Sequence, residues 1–152
     1  MRRTYLAVFI HLVWMTWDRL PLLTGDHRRA VYRAIKAKCV ELGAAPVAIG
    51  GTEDHVHLLV GYPATVTIAE LVGQVKGASA HLATHQLAPG QFFKWQGAYA
   101  AFSVSPGAVT QVHDYIARQR EHHAAGTLAA EWEPAPLGAQ NHPVAKGGNQ
   151  GP

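Results

Sequence analysis

Asp54-His55-Val56-His57-Leu58-Leu59-Val60 is the stretch on which the reading of this chain turns. Side chains of a strand alternate between its two faces. Val56, Leu58 and Val60 therefore share one side, the expected core side. His55, His57 and Leu59 share the other. Tyr62-Pro63 closes the run, which predicts a strand from Asp54 to Gly61. Upstream, Pro46 to Gly50 reads as a short strand. Gly50-Gly51 and the polar Thr52-Glu53-Asp54 form a turn, which makes the two strands a hairpin.

Outward from this hairpin the pattern alternates between strand and helix. Tyr5 to Trp17 is apolar, aromatic and β-branched and predicts a first strand, broken by Leu20-Pro21. Thr24 is placed to cap a helix running to about Leu42 and ended by Gly43. Ala30, Ile35, Cys39 and Leu42 supply its apolar positions. Thr67 can cap a second helix from Ile68 to about Gln86, and Pro89-Gly90 makes a turn. A strand is expected near Tyr99 to Val104. Ser105-Pro106 then opens a third helix to about His123. The order is β-α-β-β-α-β plus a terminal helix. The fold class is therefore α+β, a ferredoxin-like antiparallel sheet with an additional C-terminal helix. In that plan the first and third strands are central neighbours. Two helices cover one face, and the other face is open to nucleic acid or to the extra helix. Eight of the last 19 residues are Gly or Pro, which divides the chain into a domain over 1–133 and a flexible tail over 134–152.

Composition limits the function classes. A chain of 152 residues that is 48% hydrophobic forms a real core, and wholesale disorder is excluded. No apolar run is long enough to span a bilayer. Met1-Arg2-Arg3 is basic, but His11, Trp14 and Trp17 follow it without a small-residue cleavage site, so the segment reads as a strand and not as a signal peptide. One cysteine, Cys39, excludes an internal disulfide and a cysteine-based zinc cluster. A cytoplasmic location is the expectation. The net charge of +3 hides an asymmetry: residues 1–40 hold eight basic groups and two acids, the remainder five and eight. Arg29, Arg33 and Lys36 at helical spacing share a face that suits phosphate, although an ordinary solvated helix face has the same pattern. The ten histidines equal the acids in number.

Two imidazoles two residues apart on a rigid strand can converge on one metal ion, or stand solvated on an open sheet face. His11, on the neighbouring first strand, is expected to support the pair rather than to ligate. Tyr115 and Gln119 lie at i and i+4 and point the same way. A tyrosine can act as a covalent nucleophile once a cation or basic groups help it to ionise. Gln119 offers a neutral oxygen to a hard cation. The competing reading is a tyrosine anchored between helix and sheet. Lys76-Gly77-Ala78-Ser79 sets small residues beside a lysine, which permits close approach to a phosphate backbone, and Gly77 suggests close packing or a contact there. Phe92-Phe93-Lys94-Trp95 mixes aromatics with a cation, a composition suited to stacking bases or to a core.

Taken in order, these segments resemble the small single-tyrosine transposases of the HUH superfamily of insertion sequences, which include the transposases associated with repetitive extragenic palindromes (REP). The carrying residues are His11-Leu12-Val13-Trp14, Asp54 to Val60, Lys76 to Ser79, Phe102-Ser103-Val104-Ser105 and Tyr115-Ile116-Ala117-Arg118-Gln119, spanning about residues 4–123. The resemblance implies an endonuclease and strand transferase acting on single-stranded DNA with hairpins near the element ends. Tyr115 would form a 5′-phosphotyrosine. His55, His57 and Gln119 would hold Mg²⁺ or Mn²⁺, and imidazole ligands favour the latter. Lys76 would contact DNA, as would the basic face of Arg29, Arg33 and Lys36 and the pair Lys94 and Trp95. The resemblance also implies a homodimer acting at the nucleoid, with the tyrosine helix completing either its own or the partner's site. Trp95-Gln96-Gly97-Ala98-Tyr99-Ala100-Ala101-Phe102 departs from the family's pattern in the placement of its glycines. Two other functions fit the residues alone: a non-catalytic nucleic-acid-binding module, and a metal-dependent phosphodiesterase with water as nucleophile.

Overall fold

The computed structural model describes residues 3–87 and 90–119. Its elements are β1 (Phe9–Met15), α1 (Gly25–Glu41), β2 (Ala45–Gly51), β3 (His55–Gly61), α2 (Ile68–Leu82), β4 (Ala100–Val104) and α3 (Val109–Ala117). The strands form one antiparallel sheet in the order β2-β3-β1-β4. This is the expected ferredoxin-like arrangement, with β1 and β3 as the central pair.

Period-2 alternation divides the core in two. Leu12 and Trp14 of β1 and Val56, Leu58 and Val60 of β3 face α1 and α2, where Val31, Ile35, Cys39, Leu71, Val72 and Val75 meet them. Leu59, from the other face of β3, packs with Ala48, Val104 and the α3 residues Val112 and Ile116. The face left open in the basic plan is thus covered by α3. β3 is buried on both sides, and each of its leucines contributes about 2 kcal/mol by burial.

Local chemistry sets the ends. Thr67 and Glu70 make a reciprocal capping box at α2, with Glu70 N–H donating to Thr67 Oγ1 at 3.1 Å and Thr67 N–H to Glu70 Oε2 at 3.2 Å. Thr24 occupies the N-cap position of α1 in extended conformation but makes no side-chain capping bond. Gly43, at φ +81, takes the left-handed conformation that ends α1 cheaply. The second helix leaves α geometry earlier than expected, passing into a π turn over Ala83–Leu87. Pro106 opens a 3₁₀ turn, so α3 begins at Val109.

The first strand is shorter than its apolar run. Pairing stops at Phe9, opposite Gly61 on one side and Val104 on the other. Tyr62-Pro63 and Ser105-Pro106 end the two partner strands there; one last bond, from Tyr62 N–H to the Val8 carbonyl at 2.7 Å, closes the pairing, and the side chains of Tyr5, Leu6 and Val8 are exposed. Gly50 and Gly51, read as part of a turn, belong to β2. No helix among the described residues is long and apolar enough to cross a membrane. The third helix stops well short of the expected end near His123: α3 closes at Ala117, because Arg118 leaves helical geometry at φ −110 and ψ 24. The expected tail over 134–152 lies outside the described residues.

Candidate active site

The register of β3 sets the two histidines side by side. Val13 pairs with His57 and Met15 with His55, and Gly50 flanks His57 from β2. The histidine rings stand 5.1 Å apart, close to perpendicular, and are 1% and 0% exposed. They are therefore not solvated groups on an open sheet.

Over them lies α3. Its hydrophobic positions Val112 and Ile116 seat it on the sheet, which turns Tyr115 inward; Gln119, two residues past the end of the helix, is buried beside it. Gln119 Oε1 is 3.4 Å from His55 Nε2, and the Tyr115 ring packs edge-on to His57 with centroids 6.0 Å apart. Tyr115 is 5% and Gln119 1% exposed. Gly50 makes this fit possible: a Cβ there would stand 2.2 Å from the Ile116 carbonyl oxygen. His57, Tyr115, His55 and Gln119 are thus brought together within one chain.

The far ring nitrogens are engaged by neighbours. His57 Nδ1 and His11 Nε2 are joined by a 2.8 Å hydrogen bond, and the two rings lie 5.0 Å apart. His11 is completely buried and also packs against Phe102. His55 Nδ1 lies 2.8 Å from Asp54 Oδ1 and 2.9 Å from Thr52 Oγ1. Thr52 Oγ1 donates to the same carboxylate oxygen at 3.0 Å, and Arg19 Nε donates to Asp54 Oδ2 at 3.3 Å. Burial would raise the Asp54 carboxyl. The hydrogen bonds from His55 and Thr52 and the charge of Arg19 outweigh it and hold the group below its ordinary value. Arg19 and Thr52 were missed in the sequence. Only the polar turn before His55 signalled Thr52, and nothing local signalled Arg19.

Two imidazole nitrogens, an amide oxygen and a phenol in one buried cluster suit a divalent cation beside a nucleophile. Among the described residues no three His, Cys, Asp or Glu side chains form a metal-binding group. The polar atom facing His55 Nε2 is the amide oxygen of Gln119. Each imidazole has its Nδ1 hydrogen-bonded to the protein, which is the arrangement that orients ligating histidines.

The proposed DNA contacts are scattered. Arg29, Arg33 and Lys36 are exposed on α1, on the sheet face opposite the histidines. Lys76 is half-buried, and its ammonium donates to the carbonyls of Gln96 and Ala98; burial lowers its pKa. Gly77 has open space around it among the described residues, so packing does not explain it. Trp95 is a core residue rather than a stacking platform. It is 6% exposed, packs edge-on against Trp14 and Phe93, and donates its Nε1–H to Ser79 Oγ at 3.0 Å. Lys94 is exposed, with its ammonium 4.0 Å from the centre of the Trp17 ring.

No curated protein matches the chain. Among solved structures it is similar to a protein from Deinococcus radiodurans R1 described as a candidate transposase, at 26% identity and a TM-score of 0.61 over 78% of this chain and 96% of that one. It is also similar in fold to a REP-associated tyrosine transposase solved with a REP hairpin, at 16% identity and a TM-score of 0.62 over 81% of this chain and 73% of that one. The family model described as "Transposase IS200 like" matches residues 4–119, which include both histidines, the tyrosine and the glutamine, and the chain belongs to that family of transposases.

Proposed function

We propose that the chain is a metal-dependent, single-tyrosine transposase that cleaves and rejoins single-stranded DNA through a 5′-phosphotyrosine, recognising hairpins near the ends of its element. The packing of Tyr115 and Gln119 over His57 and His55 carries this reading. The hairpin preference draws on the fold it shares with the REP-associated transposase solved with a REP hairpin.

His55 Nε2, His57 Nε2 and Gln119 Oε1 would hold Mg²⁺ or Mn²⁺, which when bound polarises the scissile phosphate. The bond between His57 Nδ1 and His11 Nε2 keeps the His57 ring turned in this sense. Tyr115 Oη bonds to phosphorus as the bond to the 3′ oxygen breaks. The phenol gives up its proton, the departing strand takes one up, and a free 3′-OH results. A 3′-OH, from this strand or another, then attacks the phosphotyrosine, restores the phosphodiester and returns the phenol. One phosphate ester replaces another at each step, so no nucleotide hydrolysis is required. The exposed Arg29, Arg33, Lys36 and Lys94 supply salt-sensitive backbone affinity. Lys76 joins them once it exchanges its carbonyl partners for phosphate. A homodimer acting at the nucleoid is part of the proposal, with one hairpin per subunit.

The test is to incubate hairpin-bearing single-stranded DNA with the protein and Mn²⁺, denature, and look for a protein–DNA adduct. An adduct is expected, absent in Tyr115→Phe and greatly weakened in His57→Ala. Cleavage without an adduct would overturn the tyrosine mechanism in favour of a phosphodiesterase. Binding with neither would favour a non-catalytic module.

A further inference from the structure

We infer that Asp54, Thr52 and Arg19 form a tie that fixes the ring of His55, with the proton on Nδ1 and Nε2 turned toward Gln119, so that these three are positioning residues for the site. The inference rests on the reading of His55 as a ligand, but its central claim concerns the tautomer of the protein alone.

The geometry is reciprocal. Asp54 Oδ1 lies 2.8 Å from His55 Nδ1, and a carboxylate can only accept there, so the imidazole nitrogen donates. Thr52 donates to the same oxygen at 3.0 Å and lies 2.9 Å from the same ring nitrogen, closing a three-membered cluster. Nδ1 and Nε2 are on opposite sides of the ring. Asp54 Oδ1 therefore faces away from the Gln119 side and supports the ligand rather than joining it. A carboxylate behind a ligating imidazole sets its tautomer and raises its basicity.

The outer oxygen of Asp54 is held in turn. Arg19 Nε–H donates to Oδ2 at 3.3 Å. The backbone that presents Arg19 is unusual: Asp18 and Arg19 both have φ near +51, a conformation that side chains other than glycine avoid. Such strain persists where the surroundings over-determine it. Here they do. Thr16, fully buried, has its Oγ1 2.6 Å from the Leu20 carbonyl oxygen and 3.2 Å from that of Asp54. Its backbone N–H donates to Asp54 O at 2.9 Å, and Arg19 N–H donates to Thr16 O at 3.1 Å. The strained turn and Asp54 are thus joined through both backbone and side chains. A surface ion pair of 47% and 28% exposure would by itself add little to stability. Its place behind His55 is what gives it a use.

The experiment uses the full chain, labelled with ¹⁵N, free of metal. Long-range ¹H–¹⁵N spectra of the imidazoles report the tautomer of each histidine. His55 is expected as the Nδ1–H form in the wild type, so that its 3.4 Å approach to Gln119 Oε1 through Nε2 shares no proton. Asp54→Asn preserves shape but can offer its NH₂ to the ring, and should shift His55 toward the Nε2–H form. Thr52→Val and Arg19→Ala should shift it less. Mn²⁺ titration of the same proteins should show affinity lowered about 10- to 100-fold in Asp54→Asn. A wild-type His55 already in the Nε2–H form overturns the tie, as does an Asp54→Asn spectrum and Mn²⁺ affinity equal to wild type in a protein that melts normally. Failure of the wild type to bind Mn²⁺, with the tautomer shift present, overturns the metal reading alone and leaves the tie standing.

Discussion

Replacing Gly50 by alanine tests whether α3 works where it is seated. The new Cβ would stand 2.2 Å from the Ile116 carbonyl oxygen and 3.1 Å from both its carbonyl carbon and Cγ2. An ordinary carbon–oxygen contact is about 3.4 Å, and backbone cannot swing aside as a flexible side chain does, so α3 must retreat by about 1 Å. Overpacking of this kind costs about 1–3 kcal/mol. Tyr115 precedes Ile116 and moves with it. A displacement of about 1 Å at a reacting group costs on the order of 100-fold in rate. The expected result is a stable fold with a modestly lowered melting temperature and adduct formation slowed roughly 100-fold. Gly77→Ala serves as the control, because α2 has open space there among the described residues and the change should stabilise by about 0.5–1 kcal/mol. Adduct formation is followed by denaturing gel under single-turnover conditions. A Gly50→Ala variant as fast as wild type would refute the reasoning. One faster than wild type would refute it more sharply, by showing that α3 must leave the sheet for DNA to reach a tyrosine only 5% exposed.

Two further predictions separate packing from contact. Trp95→Ala should cost about 3–5 kcal/mol of stability, as removal of a buried aromatic does, whereas Lys94→Ala should leave stability unchanged and weaken DNA binding in a salt-dependent way; thermal melts and binding titrations at two salt concentrations check both. Burial pushes the Cys39 thiol up to about 11 and the Tyr32 phenol up to about 12. The folded state then holds protons that the unfolded state has released, so stability should fall as pH rises from about 9 toward 11, and Cys39 should resist thiol reagents at pH 8 until the chain unfolds.

What could be read in advance follows from what is local. The alternation across Asp54–Val60 is a geometric property of any strand, so the two faces of β3 and the shared side of His55 and His57 were legible. The nearness of Tyr115 and Gln119 was legible from their i, i+4 spacing, although the helix ends at Ala117 and Gln119 lies two residues beyond it. The extent of β1 was not, because it depends on where Tyr62-Pro63 and Ser105-Pro106 end its partners. Trp95 was ambiguous because an aromatic beside a cation has the same local appearance in a core and on a surface. Its bond to Ser79, sixteen residues away, decides the matter. Arg19 reaches Asp54 across 35 residues through a left-handed turn with no glycine in it. Gly50 looked like a turn residue, and its use as a seat for α3 emerges only when the helix is docked.

The burial of β3 on both faces has a genetic consequence. Its seven residues are spelled in two interleaved alphabets, odd-numbered letters for the side under α3 and even-numbered letters for the main core. A substitution edits one text. Gain or loss of a single codon within the strand would transpose every letter on one side of it, sending imidazoles into the hydrocarbon interior or apolar residues out of it. This hairpin should therefore accept changes of letter far more readily than changes of length.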